Sequence, residues 1–319
     1  MPMHHSYPSG DNQVVTLDTT AAWLDRLAAD LAGGHGRDHG NSVDQVVCRL
    51  LPSGAELAFV GGVVVKLHHP RTDAAALGRR LRQVTSGAGP SLWVQPLQVL
   101  PRRAPDGRCV TVWPRVEVVA PEDAALPWAD SGRLLARLHL ASGEAGDAPD
   151  RRPLPRHGGP ARVSRALRRA GRLDRPAAPM LTELGRRLLK EIEEIEEIPT
   201  SPAPAVVHGD WHLGQLARTP AGLRLLDVDD LGTGDPAWDL ARPAGLWAAG
   251  ALEDADWRTF LTAYRTEGGP GVPAYGDPWP RLDLAARCAV YVAAVRALAV
   301  QPAHSANPAE ALLEACARM

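Results

Sequence analysis

In the second half of the chain, the sequence reads Val206-Val207-His208-Gly209-Asp210-Trp211-His212-Leu213-Gly214-Gln215-Leu216. Further on it reads Leu225-Leu226-Asp227-Val228-Asp229-Asp230, and then Gly234-Asp235-Pro236-Ala237-Trp238-Asp239-Leu240-Ala241. The first two segments are short apolar runs that lead acidic or amide side chains into a turn. Phosphoryl transfer from a nucleotide needs one carboxylate beside a reacting hydroxyl and another beside a divalent metal ion. A kinase is therefore the first hypothesis.

The composition indicates a globular protein. Of 319 residues, 45% are apolar and 23% are charged, and this length is compatible with one large domain or with two lobes. The formal net charge is -2, so no overall basic field exists to attract a nucleic acid. The sequence shows neither a leader pattern at its start nor an apolar stretch of about 18 residues, so we expect a cytoplasmic protein without membrane contact.

The four cysteines are widely spaced, which is untypical of metal or redox sites, and we expect them to be small buried hydrophobes. They are Cys48, Cys109, Cys288 and Cys316. Arginine greatly outnumbers lysine in this chain, whose two lysines are Lys66 and Lys190. Lys190 lies in a charged helical run, whereas Lys66 lies inside the apolar run Val63-Val64-Val65-Lys66-Leu67. The position of Lys66 indicates a specific need for an ammonium group.

The first part of the chain predicts a small β-rich lobe. Threonines 19 and 20 cap a predicted helix that runs to Leu31, and a polar loop follows from Gly34 to Ser42. Five strands and one helix are then predicted. The strands are Gln45–Leu51, Glu56–Val60, Val63–Leu67, Trp93–Leu100 and Cys109–Val119, and the helix is Pro70–Val84.

The rest of the chain predicts mainly helices, so the expected fold class is α+β. The predicted helices are Ser131–Leu140, Leu181–Ile198, Trp257–Tyr264, Leu282–Leu298 and Pro308–Arg318. We divide the chain into an N-terminal helix and loop (1–42), a small lobe (43–117) and a large lobe (118–319).

One segment, 141–180, is rich in Pro, Gly and Arg. It holds nine arginines and four acids, a surplus of about five positive charges. We expect a mobile loop or lid with a solvated face; a phosphate or partner contact is the alternative.

The order of these features resembles the aminoglycoside phosphotransferase and choline kinase branch of the protein-kinase-like fold. The matching parts are Lys66, the helix Leu134–His139, the sequence His208-Gly209-Asp210, and Asp227 with the segment Gly234–Ala241. The resemblance implies a bilobal kinase that uses ATP or GTP with Mg²⁺ and phosphorylates a small-molecule hydroxyl. It also implies a monomer or homodimer and a role in antibiotic resistance.

Within that resemblance, Asp210 is the catalytic base or hydroxyl orienter, and His208 supports the catalytic loop. Gln215 and Asp227 are the metal ligands, with Asp229 assisting through water. Gln215 departs from the asparagine usual in the family. The motif His-Gly-Asp-x-His-Leu-Gly-Gln is similar to that of maltokinases, which favours a carbohydrate acceptor.

The resemblance also assigns the nucleotide contacts. Lys66 contacts the α and β phosphates, Ser53 lies in a turn over the phosphates, and the backbone of Val116 meets the base. The helix after Lys66 has no glutamate to pair with it. Three alternatives stay open from the sequence: Lys66 pairs with Asp73, it pairs with Glu56, or the ion pair is absent.

The resemblance further implies that Asp239, the aspartate before Leu240-Ala241, is structural and holds the catalytic loop by accepting backbone hydrogen bonds. A plain helix cap would have much the same geometry.

The acceptor is less determined. From Asp210 to the C-terminus the chain has fourteen acids and nine bases, which mildly favours a cationic acceptor such as an amino sugar or aminoglycoside. Aromatic residues available for its pocket are Trp211, Trp238, Trp247, Trp257, Tyr264, Tyr275 and Trp279, although most are expected in the core.

Two other hypotheses remain open at this point. A catalytically weak relative that only binds nucleotide would explain the missing glutamate and Gln215. A metal-dependent hydrolase would use His208, Asp210, His212, Asp227 and Asp229 as ligands, but it gives Lys66 no role.

Overall fold

The computed structural model describes residues 47–51, 53–141, 153–196, 204–300 and 309–319, together with Trp23 and Leu27. These residues form two compact units. The smaller unit contains the described residues up to Val118 and the segment Ala217–Leu226, and the larger contains Val119–Leu216 and Asp227–Met319. Apart from Trp23 and Leu27, which are helical, the predicted N-terminal helix and loop lie outside the described residues.

An antiparallel five-stranded sheet forms the centre of the smaller unit, as predicted. The chain runs through β1 (Val47–Leu50), β2 (Glu56–Val60), β3 (Val63–Leu67), helix α1 (Ala74–Val84), the short helix α2 (Gly89–Leu92), β4 (Arg102–Arg103) and β5 (Cys109–Pro114). The strand order is β1-β2-β3-β5-β4. Lys66 therefore lies on the central strand.

The predicted strand Trp93–Leu100 is wrong. Only Trp93 makes a bridge there, a parallel one to Leu225, and the fifth strand is β4 instead. Pro96 interrupts the predicted strand, because proline has no N–H to donate to a ladder. The predicted strand Cys109–Val119 also divides, at Pro114, into β5 and β6 (Glu117–Val118).

The two faces of this sheet differ. Side chains alternate along a strand, so each strand sends every second residue to the core. The core face is a buried cluster of Ala58, Val65, Leu67, Val110 and Val112, joined by Leu27 from the N-terminal part of the chain. Lys66, paired in register with Leu57 and Thr111, lies on the opposite face.

The larger unit is mainly helical, as predicted. Its first elements are α3 (Trp128–Leu140), α4 (Gly159–Ala170), α5 (Ala178–Glu196) and β7 (Ala205–Val207). The chain then passes through β8 (Leu216–Thr219) and β9 (Gly222–Leu225), which lie in the smaller unit from Ala217 onward. It returns to the larger unit with β10 (Gly232–Gly234), α6 (Ala237–Ala248), α7 (Asp254–Thr266), α8 (Trp279–Val300) and α9 (Ala309–Ala317). Strands β6, β8 and β9 form a three-stranded sheet, and β7 pairs with β10.

The predicted loop over 141–180 is wrong for its middle part, where α4 forms. Val163, Ala166 and Ala170 recur at helical spacing and are buried against α5 and α8, while Arg168 and Arg169 are exposed. The apolar stripe consists mostly of alanine, so the abundant arginine concealed it in the sequence. The part from 142 to 152 lies outside the described residues.

Cysteine burial agrees with the sequence interpretation. All four thiols are free; Cys109, Cys288 and Cys316 are buried and Cys48 is partly buried. Burial raises the pKa of Cys288 and of Cys316 to about 12, so these two thiols stay protonated.

Among the described helices, none combines the length and the apolar character needed to cross a membrane.

Candidate active site

The pairing of β7 with β10 brings the two acidic segments together. The strands are antiparallel and Val207 pairs with Gly232, so the residues after β7 lie beside those before β10. Gly209, which follows β7, has φ +79°, and a Cβ there would lie 2.2 Å from the Asp230 carbonyl oxygen. Glycine is required at this position because a side chain would be both strained and in collision with backbone. The His208–Asp210 loop and the Asp227–Asp230 turn therefore form one site.

Asp239 fixes the His208–Asp210 loop. Its Oδ2 accepts a hydrogen bond from the His208 backbone N–H at 2.6 Å, and its Oδ1 accepts one from the Gly209 N–H at 2.8 Å. The side chain of Asp239 is fully buried in the first turn of α6. The loop conformation is thus set by one carboxylate that uses both of its oxygens, in the structural role that the sequence predicted.

A buried relay holds Asp239 in turn. His139 Nε2 lies 3.1 Å from Asp239 Oδ2, and His139 Nδ1 lies 2.7 Å from the Tyr264 hydroxyl. The Tyr264 oxygen accepts from the Gly271 N–H at 2.9 Å, so its own proton is free to go to Nδ1, which leaves Nε2 as the donor to Asp239. Burial raises the pKa of Asp239, but His139 and then His208, whose backbone N–H donates to this carboxylate, lower it overall. Asp239 is therefore ionised at neutral pH.

Asp210 lies on this loop with 30% of its side chain exposed. Burial raises its pKa, an effect that the positive charges of Arg162 and Arg242 oppose. Arg162, in the first turns of α4, places Nη1 2.6 Å from Asp210 Oδ2. A partly accessible carboxylate with a guanidinium partner can accept a hydrogen bond from a substrate hydroxyl.

The two histidines of the loop have different environments. His208 is buried, and its Nδ1 accepts a hydrogen bond from the Asp210 N–H at 3.3 Å, which supports the loop from within. His212 is half-buried, and burial, followed by the positive charge of Arg242, lowers its pKa well below the usual range. His212 is accordingly neutral at physiological pH.

Asp227, the predicted metal ligand, has an unusual backbone. Its φ of 60° makes it the one non-glycine residue with positive φ in the described part of the chain. Aspartate tolerates this conformation because its side chain bonds locally, and here Oδ1 accepts from the Asp229 N–H at 3.0 Å. Backbone strain of this kind is concentrated at functional sites.

The larger unit contains the three oxygen donors that the sequence predicted for magnesium. Gln215 ends a short 3₁₀ helix (Leu213–Gln215) in the same unit as Asp227 and Asp229. One or two carboxylates and an amide oxygen suit Mg²⁺, which keeps several waters and phosphate oxygens. Among the described residues, no three His, Cys, Asp or Glu side chains are grouped so as to bind a metal ion, so the ligand set of the hydrolase hypothesis is not assembled.

Lys66 belongs to the smaller unit, where it is 7% exposed. Glu56 is not its partner: Glu56 pairs in register with Leu67, so it lies on the other face of the sheet, and it binds Arg108 at 2.6 Å. Asp73 is exposed, and its side chain caps α1 by accepting hydrogen bonds from the N–H groups of Ala75 and Ala76. The sequence could not reveal these competing roles.

The other predicted nucleotide residues also lie in the smaller unit. Ser53 is exposed in the turn between β1 and β2, and its Oγ lies 3.4 Å from the Ala55 nitrogen. Gly54, beside it, has φ +82°. Val116 is partly buried in the short link between β5 and β6. The nucleotide contacts of Lys66, Ser53 and Val116 stay predictions.

Two further residues of the site, Arg162 and His157, were not predicted from the sequence. His157 is buried against Trp238, with ring centroids 5.4 Å apart, and its Nδ1 accepts from the Gly159 N–H. Burial lowers the pKa of His157 to about 4, so it is neutral. For Arg162, the sequence signal was the surplus of arginine in the segment 141–180, but nine arginines lie there and none of them was distinguished from the others.

The aromatic residues proposed for a pocket mostly serve the core, as expected. Trp257 and Tyr264 are buried, and Trp211 packs on Phe260 with ring centroids 5.0 Å apart. Trp247 stacks between Trp257 and Trp279, at 5.9 and 5.8 Å. Tyr275 is 90% exposed.

Comparison with known families identifies the chain. The profile of the phosphotransferase enzyme family (APH) matches residues 47–284, which is most of the sequence and includes all the residues of the site. The chain belongs to this family. The resemblance to aminoglycoside phosphotransferases and choline kinases is thereby confirmed, and this phosphotransferase acts on hydroxyl groups.

Solved structures support the kinase-like fold of the phosphotransferase. Choline kinase LicA from Streptococcus pneumoniae matches with a TM-score of 0.59 and 12% identity, over 93% of this chain and 97% of that one. Amicoumacin kinase hAmiN, in complex with AMP-PNP, Ca²⁺ and Ami, matches with a TM-score of 0.57 and 13% identity, over 88% and 86%.

A thermostable mutant of aminoglycoside phosphotransferase APH(4)-Ia matches with a TM-score of 0.57 and 14% identity, over 92% and 98%. No curated protein sequence matches. At these identities the structural likeness establishes the fold of the phosphotransferase and leaves its acceptor open. The hydrolase hypothesis finds no support in any of these comparisons.

Proposed function

We propose that this phosphotransferase transfers the γ-phosphoryl group of ATP or GTP, with Mg²⁺, to a hydroxyl of an aminoglycoside, an amino sugar or a related sugar-like metabolite. The observation that carries the proposal is the joining of the Asp210 loop to the Asp227 turn by β7 and β10. One carboxylate for the hydroxyl and one for the metal are thus held on adjacent backbone.

Asp210 has the role of hydroxyl orienter and proton acceptor. The acceptor oxygen forms a bond to the γ-phosphorus while the bond to the β-γ bridging oxygen breaks, and the hydroxyl proton passes to Asp210. A loose transition state of this kind needs positioning more than a strong base. The hydrogen bonds from His208 and Gly209 to Asp239 supply that positioning, because they fix the loop on which Asp210 lies.

Asp227, Gln215 and Asp229 are the residues proposed to hold Mg²⁺. When bound, the ion would neutralise charge on the phosphates of the nucleotide. Lys66, Ser53 and the backbone of Val116 are proposed to contact the nucleotide, with 43–117 as the nucleotide-binding lobe and 118–319 as the catalytic and acceptor-binding lobe. Lys66 suits phosphate contact because it is a compact, buried cation on the partly exposed face of the sheet.

The acceptor class rests on two features of the sequence. The excess of acids after Asp210 favours a cationic compound, and the His-Leu-Gly-Gln motif favours a carbohydrate. An amino sugar or aminoglycoside combines both properties, and phosphorylation of an aminoglycoside would give antibiotic resistance. We expect a cytoplasmic monomer or homodimer, because the cytoplasm supplies the nucleotide.

A nucleotide-consumption screen tests the proposal. Purified protein would be assayed with ATP and with GTP over aminoglycosides, amino sugars and neutral sugars, and the product of each active pair identified by mass spectrometry. Asp210→Ala should lower the rate of transfer by about 10²–10⁴-fold, because it removes the group that orients the hydroxyl. Nucleotide affinity should remain almost unchanged, since Asp210 contacts the acceptor.

Two outcomes would contradict this proposal. Equal turnover by wild type and Asp210→Ala would exclude Asp210 as the orienting group. Tight nucleotide binding without transfer to any acceptor in a broad panel would favour a catalytically weak relative.

A further inference from the structure

The segment before α4 is attached to the active site by backbone hydrogen bonds. It runs parallel to β10, where the Thr233 N–H donates to the Pro155 carbonyl at 3.0 Å and the His157 N–H donates to the Thr233 carbonyl at 3.2 Å. The Gly158 N–H then donates to the Asp230 carbonyl at 3.0 Å. Because α4 begins at the next residue, the place where Arg162 emerges is set by this backbone.

Arg162 connects both parts of the site. Its Nη1 lies 2.6 Å from Asp210 Oδ2, and its Nη2 lies 3.1 Å from Asp230 Oδ2 and 3.1 Å from the Gly209 carbonyl oxygen. A guanidinium is planar, with its donors in a rigid fork, so these contacts fix its plane as well as its position. The Arg162 side chain is 19% exposed. Its ion pairs therefore differ from fully solvated surface pairs, which contribute little to stability.

The contacts of Arg162 leave one oxygen of Asp210 available. Oδ2 faces the guanidinium, so a hydroxyl can approach Oδ1. If Arg162 served only stability, it could pair with any nearby carboxylate, whereas here it contacts Asp210, the residue proposed to orient the acceptor hydroxyl. We propose that Arg162 is a positioning residue, which holds the Asp210 carboxylate ionised and turned so that Oδ1 receives the acceptor hydroxyl.

This inference rests on the proposed role of Asp210, and it adds a residue that the catalytic motif does not contain. It also gives the basic segment a function: the segment delivers one arginine to the catalytic loop.

Several charged or titratable groups besides Arg162 surround Asp210 and must be considered in any test by pH. Burial and Asp230 favour the protonated carboxyl, while Arg162, Arg242 and His208 favour the carboxylate. Removal of Arg162 therefore raises the pKa of Asp210. Since the carboxylate is the active form, the acid limb of kcat/KM moves to higher pH. The facing groups are Arg162 and Arg165 of α4, Arg242 of α6, Asp230 of the turn, and His208 and His212 of the loop.

The experiment compares Arg162→Met, Arg162→Lys and the control Arg168→Met, which removes an exposed arginine of the same helix. With an acceptor from the screen, Arg162→Met should move the acid limb of kcat/KM up by about one pH unit or more, as expected on loss of a nearby opposite charge. Below this limb the kcat/KM of Arg162→Met should fall by up to about 10-fold for each pH unit of the shift, with recovery at higher pH. Thermal midpoints of all variants show whether they fold.

The lysine variant separates charge from geometry. It keeps the positive charge but cannot form the two-pronged contact, so its acid limb should remain near that of wild type while kcat falls at every pH. The variant Arg168→Met should match wild type. The inference is overturned if Arg162→Met and Arg168→Met have the same pH profile and kcat.

A second measurement does not depend on the acceptor. In protein labelled with ¹³C at aspartate carboxyls, the Asp210 signal is assigned by its loss in Asp210→Asn and titrated in wild type and Arg162→Met. An upward shift of the Asp210 pKa supports the inference even if no acceptor is phosphorylated, which would count against the proposed function alone. An unchanged Asp210 titration in a folded variant refutes the role of Arg162.

Discussion

At the scale of single residues, Asp239 shows how one side chain can determine a loop. It receives hydrogen bonds from His139, from the His208 N–H and from the Gly209 N–H, and these donors come from distant parts of the sequence. With no contact to water, each lost bond would leave a buried group unsatisfied. The resemblance to the family predicted that Asp239 holds the catalytic loop, but nothing in the sequence identified His139 as a further partner.

Asp239→Asn should destabilise the protein by about 2–4 kcal/mol. The amide keeps one acceptor oxygen, yet its NH₂ group must face either the Gly209 N–H or the donors at His208 and His139. The free energy of unfolding, from urea titration, measures this loss. Asp130→Asn is the matched control, because it breaks only an exposed pair with Arg133 and should change stability by less than about 1 kcal/mol. Equal stability of Asp239→Asn and wild type would show that the carboxylate is dispensable.

The lowered pKa of Asp239 also has a pH consequence of defined sign. Its stabilising contribution is complete above the unfolded pKa near 3.8 and is lost as the pH falls through the lower folded value.

The residues proposed for catalysis were named from the sequence, whereas Arg162 was not. The residues from His208 to Gln215 are adjacent in the chain, so their spacing reveals them. Arg162 reaches Asp210 across 48 positions of sequence, and nine arginines in its segment offered equal candidates.

At the scale of elements, the contact between the segment Pro155–Gly158 and β10 depends on small residues. A Cβ at Gly232 would lie 2.4 Å from the Pro155 carbonyl oxygen and 2.5 Å from the His157 nitrogen. Both neighbours are backbone, so they cannot rotate away as a side chain could. The close approach of these two strands therefore requires glycine at position 232.

Gly232→Ala should destabilise the protein by about 1–3 kcal/mol, as overpacking does elsewhere. It should also lower kcat, because the displaced segment carries Arg162 away from Asp210. Gly171→Ala, at the end of α4, is the control: its φ is -65° and its nearest neighbour is 3.8 Å away, so stability should change by less than about 0.5 kcal/mol. Chemical denaturation and kcat would be measured on both variants. If Gly232→Ala behaves like the control, the segment can shift without loss.

Most helices and strands followed from periodicity and turn residues, and the errors have local causes. Strand β4 contains two arginines and no apolar residue, so no pattern marks it, and Pro96 was overlooked in the strand predicted before it. Helix α4 was missed because alanine gives a weak apolar signal among arginines. Both elements are stabilised by contacts with other elements of the fold, and a local sequence pattern does not show such contacts.

At the scale of the whole molecule, the two units are proposed to contribute separable functions. If Lys66 binds nucleotide phosphates, Lys66→Met should weaken nucleotide binding by about 10–100-fold, which corresponds to roughly 1.5–3 kcal/mol for a charge-assisted contact. Asp210→Ala should instead leave that affinity intact. Isothermal titration with a non-hydrolysable nucleotide and Mg²⁺ distinguishes the two effects.

The only other lysine of the sequence provides the control. Lys190 is 77% exposed and lies near Glu194, so Lys190→Met should bind nucleotide as wild type does. Unaltered binding by Lys66→Met would remove Lys66 from the nucleotide site.

The register of β6 with β8 has a practical consequence for protein engineering. Glu117 pairs with Arg218 and Val118 pairs with Ala217, so the ends at which the chain leaves and re-enters the smaller unit are antiparallel neighbours. Antiparallel neighbours can be joined by a two-residue hairpin such as Asn-Gly. We therefore expect that the smaller unit can be produced alone if a dipeptide replaces residues 119–216 and the chain ends at Leu226.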